Sequence, residues 1–153
     1  MTKHLLLAVA TCLLLASHVH AQGVNCGVDT KIYGCIDTPT TQTVVPQSNV
    51  TLSGWALSCW TNQQPSDLQV YYAGPDGVKH QAAQMDITVE WRIPRPDVYS
   101  YYVNYCPISS INWGYNVHVR NLPLGHIVLA LMFTDPVIGV AVSDQQIQVT
   151  VQP

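Results

Sequence analysis

Proline and glycine punctuate the whole chain beyond residue 21, and they limit every regular element to a short segment. The 153 residues include 10 prolines and 9 glycines, all of which lie after that point. The runs between them are rich in Val, Ile, Thr, Tyr and Trp, the side chains that favour pleated strands. No segment beyond residue 21 shows the apolar 3.6-residue period of a helix of three turns. The chain is therefore expected to be all-β.

Eight of these runs are predicted as strands. In the second of them, Val50 and Leu52 alternate with the polar Thr51, which is the two-residue period of a half-buried strand. The segment 126–133 is apolar on both faces and is expected to be the most central strand. Short strands at this spacing, over roughly 130 residues, predict an antiparallel β-sandwich of about seven to nine strands. The predicted strands are 31–37, 49–57, 68–73, 78–84, 87–93, 111–119, 126–133 and 145–151.

The first 21 residues have the three-part pattern of a secretory signal peptide. Lys3 and His4 precede an apolar run over residues 5–16, and Val19-His20-Ala21 supplies the cleavage site. A run of about twelve residues is too short to span a bilayer. We therefore expect a signal peptide over residues 1–21, no membrane insertion after its cleavage, and a secreted or periplasmic mature protein that begins near Gln22.

Four cysteines remain after the signal: Cys26, Cys35, Cys59 and Cys106. An even number in an exported chain predicts two disulfides, and four cysteines allow three pairings. We favour Cys26–Cys35, which would tether an N-terminal lead-in over residues 22–32. The other two cysteines would then tie the end of an early strand to a distant tyrosine-rich loop, and closing so long a loop favours the folded state.

Several short motifs follow one another along the chain. They are Gly34-Cys35-Ile36-Asp37-Thr38-Pro39, Gly54-Trp55-Ala56-Leu57, Asp76-Gly77, Arg95-Pro96-Asp97-Val98 and Leu122-Pro123-Leu124-Gly125-His126-Ile127. In these motifs and their order, residues 33–151 resemble bacterial immunoglobulin-like modules that carry a Gly-Trp-Ala strand and a later Arg-x-Asp-Val loop. The resemblance implies an immunoglobulin-like β-sandwich domain over residues 33–153 and an extracytoplasmic setting, but no chemistry.

Two of these motifs also have direct physical interpretations. Trp55 is expected in the core, with Gly54 leaving space for the indole to pack closely over its strand. Arg95 and Asp97 flank Pro96 in a predicted loop, where they are expected to form a structural ion pair or to clamp the backbone. A pair that contacts a ligand is the alternative.

The remaining composition argues against catalysis and against nucleic-acid binding. With 6 Lys and Arg against 9 Asp and Glu, the chain has no basic surface for a phosphate backbone. His80, His118 and His126 fall on separate predicted strands without a metal-ligand spacing, so neither a metal nor a cofactor is predicted. Nucleophile-elbow and phosphate-loop motifs are missing from the sequence. A small hydrolase using a carboxylate such as Glu90 or Asp97 is the least favoured hypothesis.

The segment 97–105 is the most informative candidate for a binding surface. Tyrosine offers a large contact area, few torsions to restrict and a polar hydroxyl, which suits both stacking on sugars and docking of proteins. In an extended chain Tyr99 and Tyr101 would share one face and Tyr102 the other. Alternatively, these tyrosines only pack the edge of the domain. The candidate ligand-binding residues are Tyr99, Tyr101, Tyr102, Tyr105, Trp113 and Tyr115.

The sequence therefore favours a secreted, non-enzymatic binding or adhesion module that recognises a carbohydrate or a cell-surface protein. A structural module of a cell-surface assembly is the alternative. The two functions differ in what the tyrosines do, since only a binding module needs them at the surface.

The cysteine analysis makes a prediction about mass. If both disulfides form, the exported mature chain will weigh four hydrogen atoms less than its reduced form, because each bridge removes two. Intact mass spectrometry without reductant measures this difference. Four free thiols after native purification would refute the two disulfides and revive metal binding.

Overall fold

Two five-stranded sheets account for most of the described part of the chain. The structure is a computed structural model. It describes residues 26–28, 32–59, 61–65, 67–135, 137 and 145–153. The predicted signal peptide lies outside these residues, and so does most of the predicted lead-in. The strands are β1 (Cys26–Val28), β2 (Ile32–Thr38), β3 (Thr43–Pro46), β4 (Val50–Ser58), β5 (Asp67–Ala73), β6 (Lys79–Gln81), β7 (Ile87–Ile93), β8 (Gly114–Val119), β9 (Gly125–Thr134) and β10 (Gln145–Gln152).

The order of the strands is that of an immunoglobulin-like sandwich. Sheet 1 runs β1-β2-β4-β8-β7 and sheet 2 runs β3-β10-β9-β5-β6. Within sheet 1, β2-β4-β8-β7 has the A-B-E-D order of the immunoglobulin fold, and β10-β9-β5-β6 in sheet 2 has the G-F-C-C′ order. Neighbouring strands are antiparallel, except that β3 runs parallel to β10. The predicted all-β, antiparallel-rich sandwich is confirmed.

Each of the eight segments predicted as strands contains a strand in the structure. The prediction for 126–133 is also correct in position, because β9 is the central strand of sheet 2. The edge strands β1 and β3 were not predicted. Both are short, at 3 and 4 residues, so they show too few side chains to establish a two-residue period.

One helix interrupts the series of strands and corrects the expectation of an extended tyrosine segment. Helix α1 (Pro96–Tyr102) lies between β7 and β8, and a short 3-10 turn (Gln84–Asp86) precedes β7. Pro96 occupies the first turn, where its fixed φ favours a helix and its missing N–H costs nothing. Asp97 lies in the same turn and suits the positive end of the helix. With only 7 residues, α1 is too short to show a three-turn apolar pattern.

The core between the sheets is mainly apolar, and a buried polar contact joins the two layers. Tyr115 of β8 is 1% exposed, and its hydroxyl donates to Gln145 Oε1 of β10 at 2.7 Å. The same hydroxyl lies 3.1 Å from the carbonyl oxygen of Cys35. Burial raises the pKa of Tyr115 well above its ordinary value, so the phenol stays protonated and keeps its donor.

Gly54 is required by this tyrosine rather than by the neighbouring indole. A Cβ at Gly54 would stand 2.5 Å from the Tyr115 hydroxyl oxygen and would also collide with the Cys35 carbonyl. The expectation that Gly54 makes room for Trp55 is therefore wrong in its partner. Trp55 is buried as expected, but it points away from the core between the sheets.

Sheet 1 has a second buried face on its outer side. Strand β4 alternates at its start and is then buried at every position from Gly54 to Ser58. Trp55 and Leu57 face outward there, and the long connection over residues 94–113, which includes α1, covers them. We call this the outer cluster. Its buried members are Trp55, Leu57, Val98, Cys106, Ile108 and Trp113, and the partly buried Tyr33, Cys35, Cys59, Tyr99 and Tyr102 pack against them.

The structure confirms the predicted bridge between Cys59 and Cys106, whose Cα atoms lie 4.8 Å apart. This bridge ties the end of β4 to the chain just after α1. Cys35 is also disulfide-bonded. The register of β1 on β2 places Cys26 directly opposite Cys35, which supports the predicted Cys26–Cys35 pairing.

The contact between the sheets predicts a stability effect. Tyr115→Phe keeps the ring but removes the buried donor, so the free energy of unfolding is expected to fall by about 1–3 kcal/mol. Urea unfolding followed by tryptophan fluorescence measures it. The matched control is Tyr71→Phe, whose half-exposed hydroxyl donates to Gln69, and it should stay within about 0.5 kcal/mol of the wild type. Equal losses in the two variants would contradict a special role for the Tyr115 hydroxyl.

Candidate functional site

Helix α1 presents its tyrosines in two directions. The backbone amides of Tyr99 and Val103 donate to the carbonyls four residues earlier, at Arg95 and Tyr99. After the helix, the amides of Tyr105 and Cys106 both bond to the Tyr102 carbonyl, at 2.9 and 2.8 Å. This tight turn carries Cys106 back to its disulfide partner on β4.

An arginine fixes the beginning of the helix to sheet 1. The Arg95 guanidinium donates to both carboxylate oxygens of Asp97, at 2.9 and 2.6 Å, and its Nη1 lies 2.5 Å from Asp37 Oδ2 on β2. The expected structural ion pair of Arg95 and Asp97 is confirmed, and Asp37 extends it. The hydrogen bonds from Arg95 lower the pKa of Asp97, and the same contacts raise the pKa of Arg95.

Two of the candidate tyrosines turn inward onto the outer cluster. The Tyr102 ring lies 5.4 Å from that of Trp55 and 5.6 Å from that of Tyr33, measured between centroids. Burial raises the pKa of Tyr102 to about 12, so its hydroxyl remains a donor throughout the physiological range. Tyr99 is also half-buried against the cluster. These two rings anchor α1.

The other two tyrosines turn outward. Tyr101 is 53% exposed and Tyr105 is 75% exposed. Their ring centroids are 5.7 Å apart with planes tilted by 39°, and Tyr101 meets the Tyr102 ring edge-on at 4.9 Å. Both therefore offer free aromatic surface beside an anchored ring.

A depression of about 660 Å³ lies against these rings, and we call it the tyrosine concavity. None of the lining side chains that the structure describes carries a charge at neutral pH. Four of them are tyrosines whose hydroxyls make no hydrogen bond to any residue that the structure describes. The concavity thus combines apolar walls with unused phenol donors. Its lining residues are Tyr33, Cys59, Tyr101, Tyr102, Tyr105, Cys106 and Pro107.

The structure does not bring all six candidate residues to this surface. Trp113 and Tyr115 are each 1% exposed, so neither can contact a ligand there. Trp113 belongs to the outer cluster, where its indole N–H donates to the Ser110 carbonyl, and Tyr115 belongs to the core between the sheets. Tyr33 was missed. Its alternation with the buried Ile32 signalled an outward side chain, but nothing local indicated that α1 would lie beside it.

The three described histidines lie on β6, β8 and β9 and have different neighbours. His118 lies 3.0 Å from the Thr51 hydroxyl and 3.8 Å from Glu90, His126 bonds Thr150, and His80 stacks on Tyr72. Within the described ranges, no three His, Cys, Asp or Glu side chains gather in a metal-binding group. None of the described helices has the length and hydropathy needed to cross a membrane.

Comparison with known proteins adds little to this description. No family model and no curated protein matches the chain. One similar solved structure is "Crystal structure of the S-layer protein SbsC domains 4 and 5", with a TM-score of 0.34 and 12% identity. The match covers 86% of this chain and 55% of that one, so the chain spans about half of its length. A likeness this weak carries no argument about function. The strand order defines the class instead: an immunoglobulin-like sandwich with a tyrosine-bearing helix on the outer face of sheet 1.

The arginine contact predicts a pH-dependent stability. Because Arg95 lowers the pKa of Asp97, the stabilisation by the carboxylate is fully present above the ordinary value of 3.8. It is lost as the pH falls through the lowered value. Asp97→Asn should therefore be less stable than the wild type at pH 7, by less than about 1 kcal/mol because solvent screens this exposed pair.

Urea midpoints of both proteins at pH 7 and in strong acid measure the effect. The difference between them should shrink in acid, while the Arg95–Asp37 contact is common to both proteins. A difference that does not change with pH would contradict the ionic origin.

Proposed function

We propose that this chain is an exported, non-enzymatic binding module of the immunoglobulin-like class, and that Tyr101 and Tyr105 form its contact surface. One observation carries the proposal. Helix α1 and the turn after it are otherwise anchored by aromatic packing, yet these two rings are left largely exposed beside a concavity. Exposed tyrosines grouped around a depression are typical of recognition surfaces.

The rigidity of the segment supports this role. Helix α1 is held by Arg95 at its start, by Tyr99 and Tyr102 along its inner side, and by the disulfide of Cys106 after its end. A surface that is already ordered loses little conformational entropy when a ligand binds. The exposed rings are therefore presented in a geometry suited to binding.

The chemistry of the lining supports binding rather than turnover. The seven described side chains of the lining include no carboxylate and no imidazole, the groups that most often transfer protons in catalysis. The disulfide between Cys59 and Cys106 agrees with an oxidising, extracytoplasmic compartment. A cell-surface carbohydrate or a cell-surface protein is the class of partner that this compartment offers.

The proposal predicts that substituting an exposed tyrosine removes binding but not stability, whereas substituting a packed tyrosine lowers stability. The full chain, expressed for export so that its disulfides form, is screened on a glycan array and on an immobilised peptide library. Tyr101→Ala and Tyr105→Ala should abolish retention of the ligands found, with stability within about 0.5 kcal/mol of the wild type. Tyr102→Ala is the comparison variant. It should lose about 1–3 kcal/mol, because it removes the ring that packs on Trp55 and Tyr33.

Two results would count against this function. A large loss of stability in Tyr101→Ala or Tyr105→Ala would show that these rings only pack the domain. Retention that survives both substitutions would place the contact surface elsewhere. If the wild type forms oligomers that both substitutions leave intact, and retains no ligand, the structural-module alternative is favoured.

A further inference from the structure

We infer that the tyrosine concavity binds an extended, proline-rich peptide segment in the polyproline II conformation. This inference rests on the proposed function and specifies the partner of the same surface. It follows from the chemical groups that line the concavity and from the angles between its rings.

The lining offers aromatic faces and hydrogen-bond donors, but few groups suited to sugars. Its described lining side chains are four tyrosines, one proline and the two halves of a disulfide, with no amide, carboxylate or guanidinium among them. A sugar presents many hydroxyls, each of which both donates and accepts, and a buried hydroxyl without a partner costs free energy. Phenols alone would leave much of that capacity unused.

A proline-rich segment matches this lining more closely. Proline has no N–H, so such a segment presents carbonyl acceptors and apolar pyrrolidine rings. The tyrosine hydroxyls, which are unused by the described residues, can donate to those carbonyls. Both surfaces are uncharged, so no ion has to be desolvated when they meet.

The angles between the rings favour a cleft over a flat platform. Tyr101 and Tyr105 are tilted by 39°, and Tyr101 and Tyr102 are nearly perpendicular at 72°. A flat sugar surface would need coplanar rings, whereas these rings pack on one another at angles, with centroids 4.9 and 5.7 Å apart, and form a stepped wall against which a pyrrolidine can pack. Aromatic grooves of this kind are the usual receptors for polyproline II ligands.

Both the peptide and the concavity already have their bound conformations before they meet. The polyproline II helix is already extended in solution, and the concavity is anchored by the outer cluster and the disulfide. Neither partner has to become ordered at the moment of binding, so a short peptide can bind measurably with a small contact area.

The test uses the oxidised full chain and a fluorescein-labelled decaproline, followed by fluorescence anisotropy. We expect saturable binding that Tyr105→Ala weakens about tenfold or more, as for a central contact residue. Tyr105→Phe should weaken it about two- to tenfold, because only the hydroxyl donor is lost. The matched control is Tyr71→Ala, a half-exposed tyrosine on β5 of sheet 2, which should bind as the wild type does. A labelled Gly-Ser decamer should not bind.

A failure of the polyproline II assignment can be distinguished from a failure of the proposed binding function. Absence of saturable decaproline binding overturns this inference. If cellohexaose, chitohexaose or maltohexaose is retained instead and is lost in Tyr105→Ala, the proposed function stands with a carbohydrate ligand and the peptide assignment is wrong. Decaproline binding that survives both Tyr101→Ala and Tyr105→Ala overturns the assignment to this concavity.

Discussion

The need to cover the outer face of β4 shapes the rest of the molecule. Trp55 and Leu57 project from sheet 1 on the side opposite sheet 2, and burying each such side chain contributes roughly 1.5–3 kcal/mol. Packing of the two sheets leaves that face open to water. The connection over residues 94–113 closes it, which explains why this stretch is much longer than an ordinary strand connection. The Cys59–Cys106 disulfide and the Arg95–Asp37 ion pair attach this connection to sheet 1 at two separate points.

The candidate site results from the packing of α1 on the outer face of β4. A helix laid on an apolar surface must turn one side down, and Val98, Tyr99 and Tyr102 occupy that side. Tyr101 near the end of the helix and Tyr105 in the turn that follows it face solvent instead. The same short sequence thus supplies both anchors and contact residues. Exposed rings beside anchored ones give a surface that is aromatic, uncharged and rigid.

In the core between the sheets, a hydrogen-bonded polar pair lies inside a mainly apolar interior. The Tyr115 hydroxyl reaches from sheet 1 to Gln145 of sheet 2, and Gly54 leaves the space that the ring needs. A buried pair of this kind has to be satisfied in one arrangement, which favours a single relative position of the two sheets. This pair also explains why Tyr115, grouped by sequence with the surface tyrosines, belongs to the core.

Local patterns in the sequence determined the strands, because a two-residue period is visible wherever a strand has one buried face and enough residues to show it. The pairing of Cys59 with Cys106 was also readable from the sequence, and the bridge is present as predicted. Helix α1, the burial of Trp113 and the place of Tyr33 beside Tyr102 were decided only by the tertiary structure. Each depends on contacts between distant segments, as the sequence separation of 47 between Cys59 and Cys106 illustrates. A periodic pattern reports that a face is buried, but only the folded chain decides what buries it.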